Sequence, residues 1–258
     1  MKNGCSIALE SLLGSAIISM ILGVISCISG ENPDALWMLV STQCVPNQLQ
    51  HGDPKPCASV DLNDGYVILK DRRGLTQYLL IPTVRVSGIE SAYLLTGAPN
   101  YFADAWRERG YVERAARRAL PRSAISLAIN SVEGRSQNQL HIHIDCIRAD
   151  VQEVLGRELS MIADAWAPLS EPLVAGHHYR AIRVLGDTLD GTNPFILLAD
   201  GVPGARTAMG QQSLVVVGAE FASGRPGFII LNSEVDPSSG DNGSGEELQN
   251  HDCAIARS

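Results

Sequence analysis

The chain has 258 residues, a formal net charge of −8 and 45% hydrophobic residues, with 24 Gly and 13 Pro. That composition excludes a disordered or fibrous chain, and the length allows one large domain or two small ones. The acidic balance argues against a nucleic-acid binder, which carries a basic face, so a phosphate-bearing ligand would be held by local donors and not by the overall field.

The first thirty residues stand apart. Lys2 is followed by Glu10 and then by an apolar run from Leu12 to Ile28, which stops at Gly30-Glu31-Asn32-Pro33. Seventeen residues fall between a signal-peptide core and a minimal membrane span. An uncleaved signal-anchor helix over 1–30 is the favoured reading, ahead of a cleaved signal and of lipidation at Cys27. Each of these carries 31–258 out of the cytosol. The expected location is therefore the inner membrane, single-pass, with 31–258 on the extracytoplasmic side. Of six cysteines, Cys5 and Cys27 lie in that segment. The remaining four, in an oxidising compartment, suggest two disulfides with three possible connectivities. The favoured pairing is Cys44–Cys57, closing a short loop, and Cys146–Cys253, pinning the C-terminal tail. A zinc site is disfavoured by the lack of a CxxC pair.

Residues 34–42 predict a short helix with Asp34 as N-cap. Gly65–Lys70 and Gln77–Pro82 predict two strands around the turn Asp71-Arg72-Arg73-Gly74. One long, arginine-rich helix is expected over 99–118. A third strand covers Ala124–Asn130, a polar loop covers 131–138, and a fourth strand covers Gln139–Ile147. Asp150 and Glu153 suggest a capping box for a helix to about Trp166. Four further strands are expected at Tyr179–Leu185, Phe195–Leu198, Leu214–Val217 and Phe228–Leu231, with a short helix at 203–209. Residues 236–249, DPSSGDNGSGEELQ, predict a flexible acidic stretch. The order implies an α+β fold with a mostly antiparallel sheet. No internal repeat is visible, although the halves 34–168 and 169–258 can share an architecture without sequence similarity.

Gln139-Leu140-His141-Ile142-His143-Ile144-Asp145 carries the chemistry. On a strand, Gln139, His141, His143 and Asp145 share one face, while Leu140, Ile142 and Ile144 face a core. Two imidazoles on one face suit phosphoryl or nucleotidyl transfer. One attacks phosphorus, and the other donates to an oxygen or assists the leaving group. Arg135, Ser136, Asn138, backbone N–H groups near Gly134, and Asn130 can hold developing negative charge. The bland alternative is an exposed histidine pair with no task. A metal site would need a third ligand, for which His51, His177, His178 and His251 have no diagnostic spacing.

Gln139-x-His141-x-His143 resembles the His-x-His-x-His motif of the histidine-triad superfamily, and the hairpin ending Ile81-Pro82 resembles that superfamily's hairpin. More narrowly, Cys44-Val45-Pro46-Asn47-Gln48, Leu69-Lys70-Asp71, Leu127–Ser131, His141–Ile144, Cys146-Ile147-Arg148 and His251-Asp252-Cys253 resemble bacterial CDP-diacylglycerol pyrophosphatases over most of 34–258. The resemblance implies a histidine-triad-like antiparallel sheet with packed helices. It implies hydrolysis of CDP-diacylglycerol to CMP and phosphatidate in phospholipid metabolism, without metal or other cofactor. His141 matches the nucleophile, and His143 matches the phosphate-binding histidine. Ser136, Asn130, Asn138, Gln139 and Lys70 become substrate-side candidates. Gln139 replaces the first histidine; it can orient by hydrogen bonds but cannot titrate. A nucleotidyltransferase with a non-water acceptor and a non-catalytic nucleotide- or lipid-binding module remain as alternatives. The expected partners are the lipid substrate and the membrane, with no nucleic acid.

Overall fold

The computed structural model describes residues 32–257, and Glu31–Ser258 forms one unit. The chain enters this unit through α1 (Ala35–Leu39), one π turn and α2 (Val45–His51), so the helical run continues well past residue 42. Asp34 makes no capping bond and instead pairs with Arg85 at 2.5 Å. Cys44, on this run, is bonded to Cys57. The short strand β1 (Ser59–Asp61) precedes the expected hairpin of β2 (Tyr66–Lys70) and β3 (Tyr78–Pro82).

The single helix expected over 99–118 is two, α3 (Tyr101–Arg107) and α4 (Gly110–Ala116), broken at Glu108–Arg109 before a glycine. The strands β4 (Ile125–Ile129) and β5 (Ile142–Ile147) follow. Helix α5 (Ala149–Glu158) starts without the expected capping box, because Asp150 is engaged by Arg148. It stops eight residues before Trp166. After β6 (Ala167–Pro168) and β7 (Arg180–Leu185), the segment around Phe195–Leu198 is not a strand but helix α6 (Pro194–Gly201). Asn193 caps it by accepting from the Phe195 amide, and Pro194 sits in its first turn; this start signal outweighs the short apolar run. The strands β8 (Leu214–Phe221), β9 (Arg225–Asn232) and β10 (Gln249–Asn250) complete the chain. The helix expected at 203–209 is reduced to two 3-10 turns.

The strands form one antiparallel sheet in the order β1-β2-β3-β5-β4-β8-β9-β7-β6. Strand β10 pairs with β5 at Cys146 and Ile147, just beyond the residues that β3 pairs, Ile142–Ile144. Strands β3 and β10 thus lie end to end along one flank of β5, leaving Asp145 at the junction. One face of the sheet packs Ile142, Ile144, Leu127 and Val216 under α3, α4 and α6. On the other face, Ala128, Ile147, Val215 and Val217 pack with Val151 and Leu155 of α5 and with Leu248. Both expected disulfides are present, Cys44–Cys57 and Cys146–Cys253.

Two expectations about the ends of the chain change. The signal-anchor segment 1–30 lies outside the described residues. The expectation of a single-pass membrane location is corrected, because among the described residues no helix is long and apolar enough to cross a membrane. Of residues 236–249, expected to be flexible, 236–240 are exposed, but 241–249 lie against the sheet: Ser131 N–H donates to the Gly243 carbonyl, and Glu246 N–H donates to Asn130 Oδ1.

Candidate active site

Strand β5 begins at Ile142, so His141 sits just ahead of it and His143 inside it. Their rings meet edge to face with centroids 4.9 Å apart. Alternation sends Ile142 and Ile144 into the helical side of the core and leaves His143 and Asp145 on the opposite face. Both are buried there.

Each imidazole has one nitrogen fixed by a neighbour. His141 Nδ1 lies 2.7 Å from the Gln139 carbonyl oxygen. A carbonyl only accepts, so Nδ1 carries the proton and Nε2 keeps a free lone pair. Burial lowers the His141 pKa below its ordinary value, against the opposing pull of that hydrogen bond. His143 Nδ1 lies 2.6 Å from the Gln77 side-chain amide nitrogen. With the amide N–H donating, Nδ1 accepts and Nε2 holds the proton. That Nε2 is buried and has no hydrogen-bond partner among the described residues. Burial pushes the His143 pKa down to about 4, which leaves the ring neutral near pH 7.

Behind the histidines lies a polar chain. Gln77 Nε2 donates to Glu246 Oε1 at 2.9 Å, and His251 Nε2 is 3.3 Å from the same oxygen. His251 Nδ1 is 2.8 Å from Asp145 Oδ2, and Thr76 Oγ1 donates to Asp145 Oδ1 at 2.6 Å. Hydrogen bonds to Asp145 and Glu246 raise the His251 pKa to about 9. Burial alone would raise Glu246, but His143, His251 and Gln77 hold it well below the usual carboxylate range. Burial raises Asp145, against the hydrogen bonds from His251 and Thr76.

The candidates named from sequence divide into those the structure gathers and those it disperses. Asn130 brackets Glu246, accepting from its amide at 3.0 Å and donating to its carboxylate at 3.4 Å. Asn130, Gln139 and His141 line one small cavity with Arg135. Gln139, however, does not extend the histidine row: its buried amide clamps Pro82 O, Val84 O and Val86 N, and only its backbone carbonyl touches His141. Arg135 is committed to a bidentate pair with Glu90. Ser136 and Asn138 are exposed, and the Gly134 amide is taken by Ser131 Oγ. Lys70 donates to the carbonyls of Asp71 and Gly74, inside its own hairpin turn.

Of the possible metal-ligating histidines, His177 belongs to a separate cluster, 2.9 Å from Glu247 Oε1 and 3.9 Å from Asp241 Oδ1, with Tyr179 donating to Glu247. His251 belongs to the polar chain behind His143. Sequence reading missed Gln77, Thr76 and Glu246 as members of this site. Gln77 had a usable signal, a polar residue opening an otherwise apolar strand; Glu246 had none, standing in a stretch with the composition of a loop.

A family model described as CDP-diacylglycerol pyrophosphatase matches residues 31–257. A CDP-diacylglycerol pyrophosphatase of Yersinia pestis is 42% identical over 240 residues, covering 93% of this chain and 91% of that protein. The chain belongs to the CDP-diacylglycerol pyrophosphatase family.

Proposed function

We propose that this protein hydrolyses the pyrophosphate bond of CDP-diacylglycerol to CMP and phosphatidate, a step of phospholipid metabolism, through a nucleotidyl group carried on His141. The observation that carries the mechanism is the contact between His141 Nδ1 and the Gln139 carbonyl. It directs the free lone pair to Nε2, the form in which an imidazole attacks phosphorus. Nε2 bonds to the cytidylyl phosphorus, and the bond from that phosphorus to the bridging oxygen breaks. The electron pair leaves on phosphatidate. Water then attacks the same phosphorus and gives one proton to solvent, the P–N bond breaks back to Nε2, and CMP departs.

His143 serves this sequence as a fixed donor. Its protonated Nε2 is buried with no acceptor among the described residues, so it is suited to a non-bridging phosphate oxygen, where charge grows in the transition state. A neutral donor of low pKa keeps its tautomer through both steps. Asn130, on the cavity that His141 lines, is the further substrate-side candidate. Outward from the β4–β8 seam the order β4-β5-β3-β2 recurs as β8-β9-β7-β6, which supports reading the domain as two related halves, with the boundary moved ahead of β6 (Ala167–Pro168) from the expected 168/169.

The test is an acid-quenched reaction of the full chain with CDP-diacylglycerol labelled in the cytidylyl phosphate. A covalent adduct mapping to His141 is expected, with turnover in His141→Ala down by about 10³-fold or more, as for the loss of a covalent nucleophile. In ¹⁸O-water the label is expected in CMP. Label in phosphatidate, or an adduct on another residue, overturns the mechanism.

A further inference from the structure

We infer that Glu246 and His251 are positioning residues that fix which nitrogen of His143 bears the proton, acting through the Gln77 amide. This rests on the reading above, in which His143 donates from Nε2 to a phosphate oxygen.

A neutral imidazole carries one proton, on either nitrogen. For His143 the choice is made at Nδ1, which lies 2.6 Å from the Gln77 amide nitrogen and 3.6 Å from Glu246 Oε1, the latter beyond hydrogen-bond range. If Gln77 presents N–H, Nδ1 accepts and Nε2 is protonated. If Gln77 presents its oxygen, Nδ1 is protonated and Nε2 turns a lone pair toward the phosphate. An amide rotates between these two states by a half-turn, so something outside the amide must decide. Glu246 decides, because its Oε1 accepts from Gln77 Nε2 at 2.9 Å. A carboxylate can only accept, and the flipped amide would set oxygen against oxygen.

Glu246 must therefore be ionised and held in place. Its chain neighbours do not achieve this; residues from three separate elements do. Asn130, after β4, brackets it through backbone and side chain. His251, after β10, donates from Nε2 at 3.3 Å while its Nδ1 donates to Asp145 on β5 at 2.8 Å. Both nitrogens of His251 face carboxylates, so the imidazolium is the form that satisfies both. The groups facing His251 are Asp145, Glu246 and, across Glu246, His143.

The seat of His251 is built to fit. Its carbonyl accepts from the amides of Leu75 and Thr76. Gly74, at φ 60°, lies so close that a Cβ there would stand 2.2 Å from His251 Cβ. The Cys146–Cys253 bond ties the residue after Asp145 to the second residue after His251. Four hydrogen-bonded contacts thus run from Asp145 through His251, Glu246 and Gln77 to His143.

The experiment reads the tautomer directly. In the full chain labelled with ¹⁵N-histidine, unliganded, the His143 signals (assigned by their loss in His143→Asn) are expected to show an unprotonated Nδ1 and a protonated Nε2. In Glu246→Gln, whose own amide can accept either face of Gln77, the Nδ1-protonated form is expected to gain population. The rate constant kcat is expected to fall about 10- to 100-fold, the scale of one weakened transition-state donor. The wild-type rate is expected to fall above pH about 9, as His251 loses its proton, and this limb is expected to vanish in His251→Gln. An unchanged His143 tautomer in Glu246→Gln overturns the inference. If that variant does not fold, an unchanged tautomer and an unchanged alkaline limb in His251→Gln overturn it instead. The tautomer needs no turnover. A shifted tautomer with no His141 adduct in the wild type would sink the catalytic reading and leave the positioning role standing.

Discussion

Strand β5 and the segment 241–253 bring side chains to the same imidazole by different physical routes. In β5, alternation does the work: Ile142 and Ile144 bury on one face, and His143 and Asp145 are forced to the other. In 241–253 there is no periodicity to read. Its small residues let it pass close to the sheet: a Cβ on Gly243 would stand 2.8 Å from Ser131 Cβ, and one on Gly245 2.9 Å from Ile129 O. Gln249 then anchors it by donating to Ser126 and to the His143 carbonyl. A polar, glycine-rich composition can thus mean close backbone approach as well as solvation, and only the surface it lies on tells the two apart.

The largest effect that separates the two regions is expected on the strand. His143→Ala should lower kcat/KM by about 10²–10³-fold, as when one pre-placed donor to a developing charge is removed. Because the buried ring leaves a cavity in that variant, the comparison with stability uses His143→Asn, which refills part of the site: its urea unfolding should move far less than its activity. If activity and stability fall in proportion, His143 is a packing residue and the distinction between strand and segment collapses.

The disulfides give the next largest effect and test the segment in isolation. Cys253→Ser opens a closure of 107 residues, and Cys44→Ser one of 13. The chain-entropy model gives about 4–5 kcal/mol for a loop of the first size and about 3 kcal/mol for the second. Thermal unfolding checks the order. The sharper outcome is kinetic: at a temperature where both variants are folded, Cys253→Ser should lose kcat, and Cys44→Ser should keep it. Equal losses would mean that the C-terminal segment has no privileged link to the site.

Gly74→Ala should act on the same link from the other side. The new methyl group meets His251 at 2.2 Å, and the residue holds φ 60°, so the turn or His251 must move. A destabilisation of about 1–2 kcal/mol is expected from the strained φ alone. Loss of the alkaline limb near pH 9 should accompany it. A stability loss with an intact limb would place the shift in the turn and exonerate His251.

The legible parts of this molecule were those whose signal is local. The hairpin of β2 and β3 and the shared face of His143 and Asp145 on β5 follow from turn residues and alternation, and cysteine parity gives two disulfides without fixing their pairing. What failed did so for definable reasons. Phe195–Leu198 has strand-like residues, but Asn193-Pro194 is a helix start, and the cap won. Gln139 has the right spacing to join the histidine row, yet the strand starts three residues later and its amide is spent on the 82–86 backbone. Ser136 and Asn138 sit near the histidines in sequence and point to solvent. Glu246 reaches His143 across more than a hundred residues of chain, through contacts that no window of sequence contains.

The effect that isolates His251 concerns stability against pH. Its pKa rises from an ordinary 6.5 to about 9 in the folded protein, through hydrogen bonds to Asp145 and Glu246. A group with a raised folded pKa stabilises fully below its unfolded value and loses that contribution as pH climbs to the folded one. The window is therefore about pH 6.5 to 9, and stability should decline across it as pH rises. The size is on the order of 2 kcal/mol, because the side chain is 29% exposed and solvent screens part of the interaction. Urea unfolding at intervals from pH 6 to 10 measures it. The wild type minus His251→Gln difference should shrink toward zero by pH 10, since the variant has no proton to lose there. A difference constant over the whole range would mean that His251 contributes only shape, and that Asp145 and Glu246 are held apart by something other than its charge.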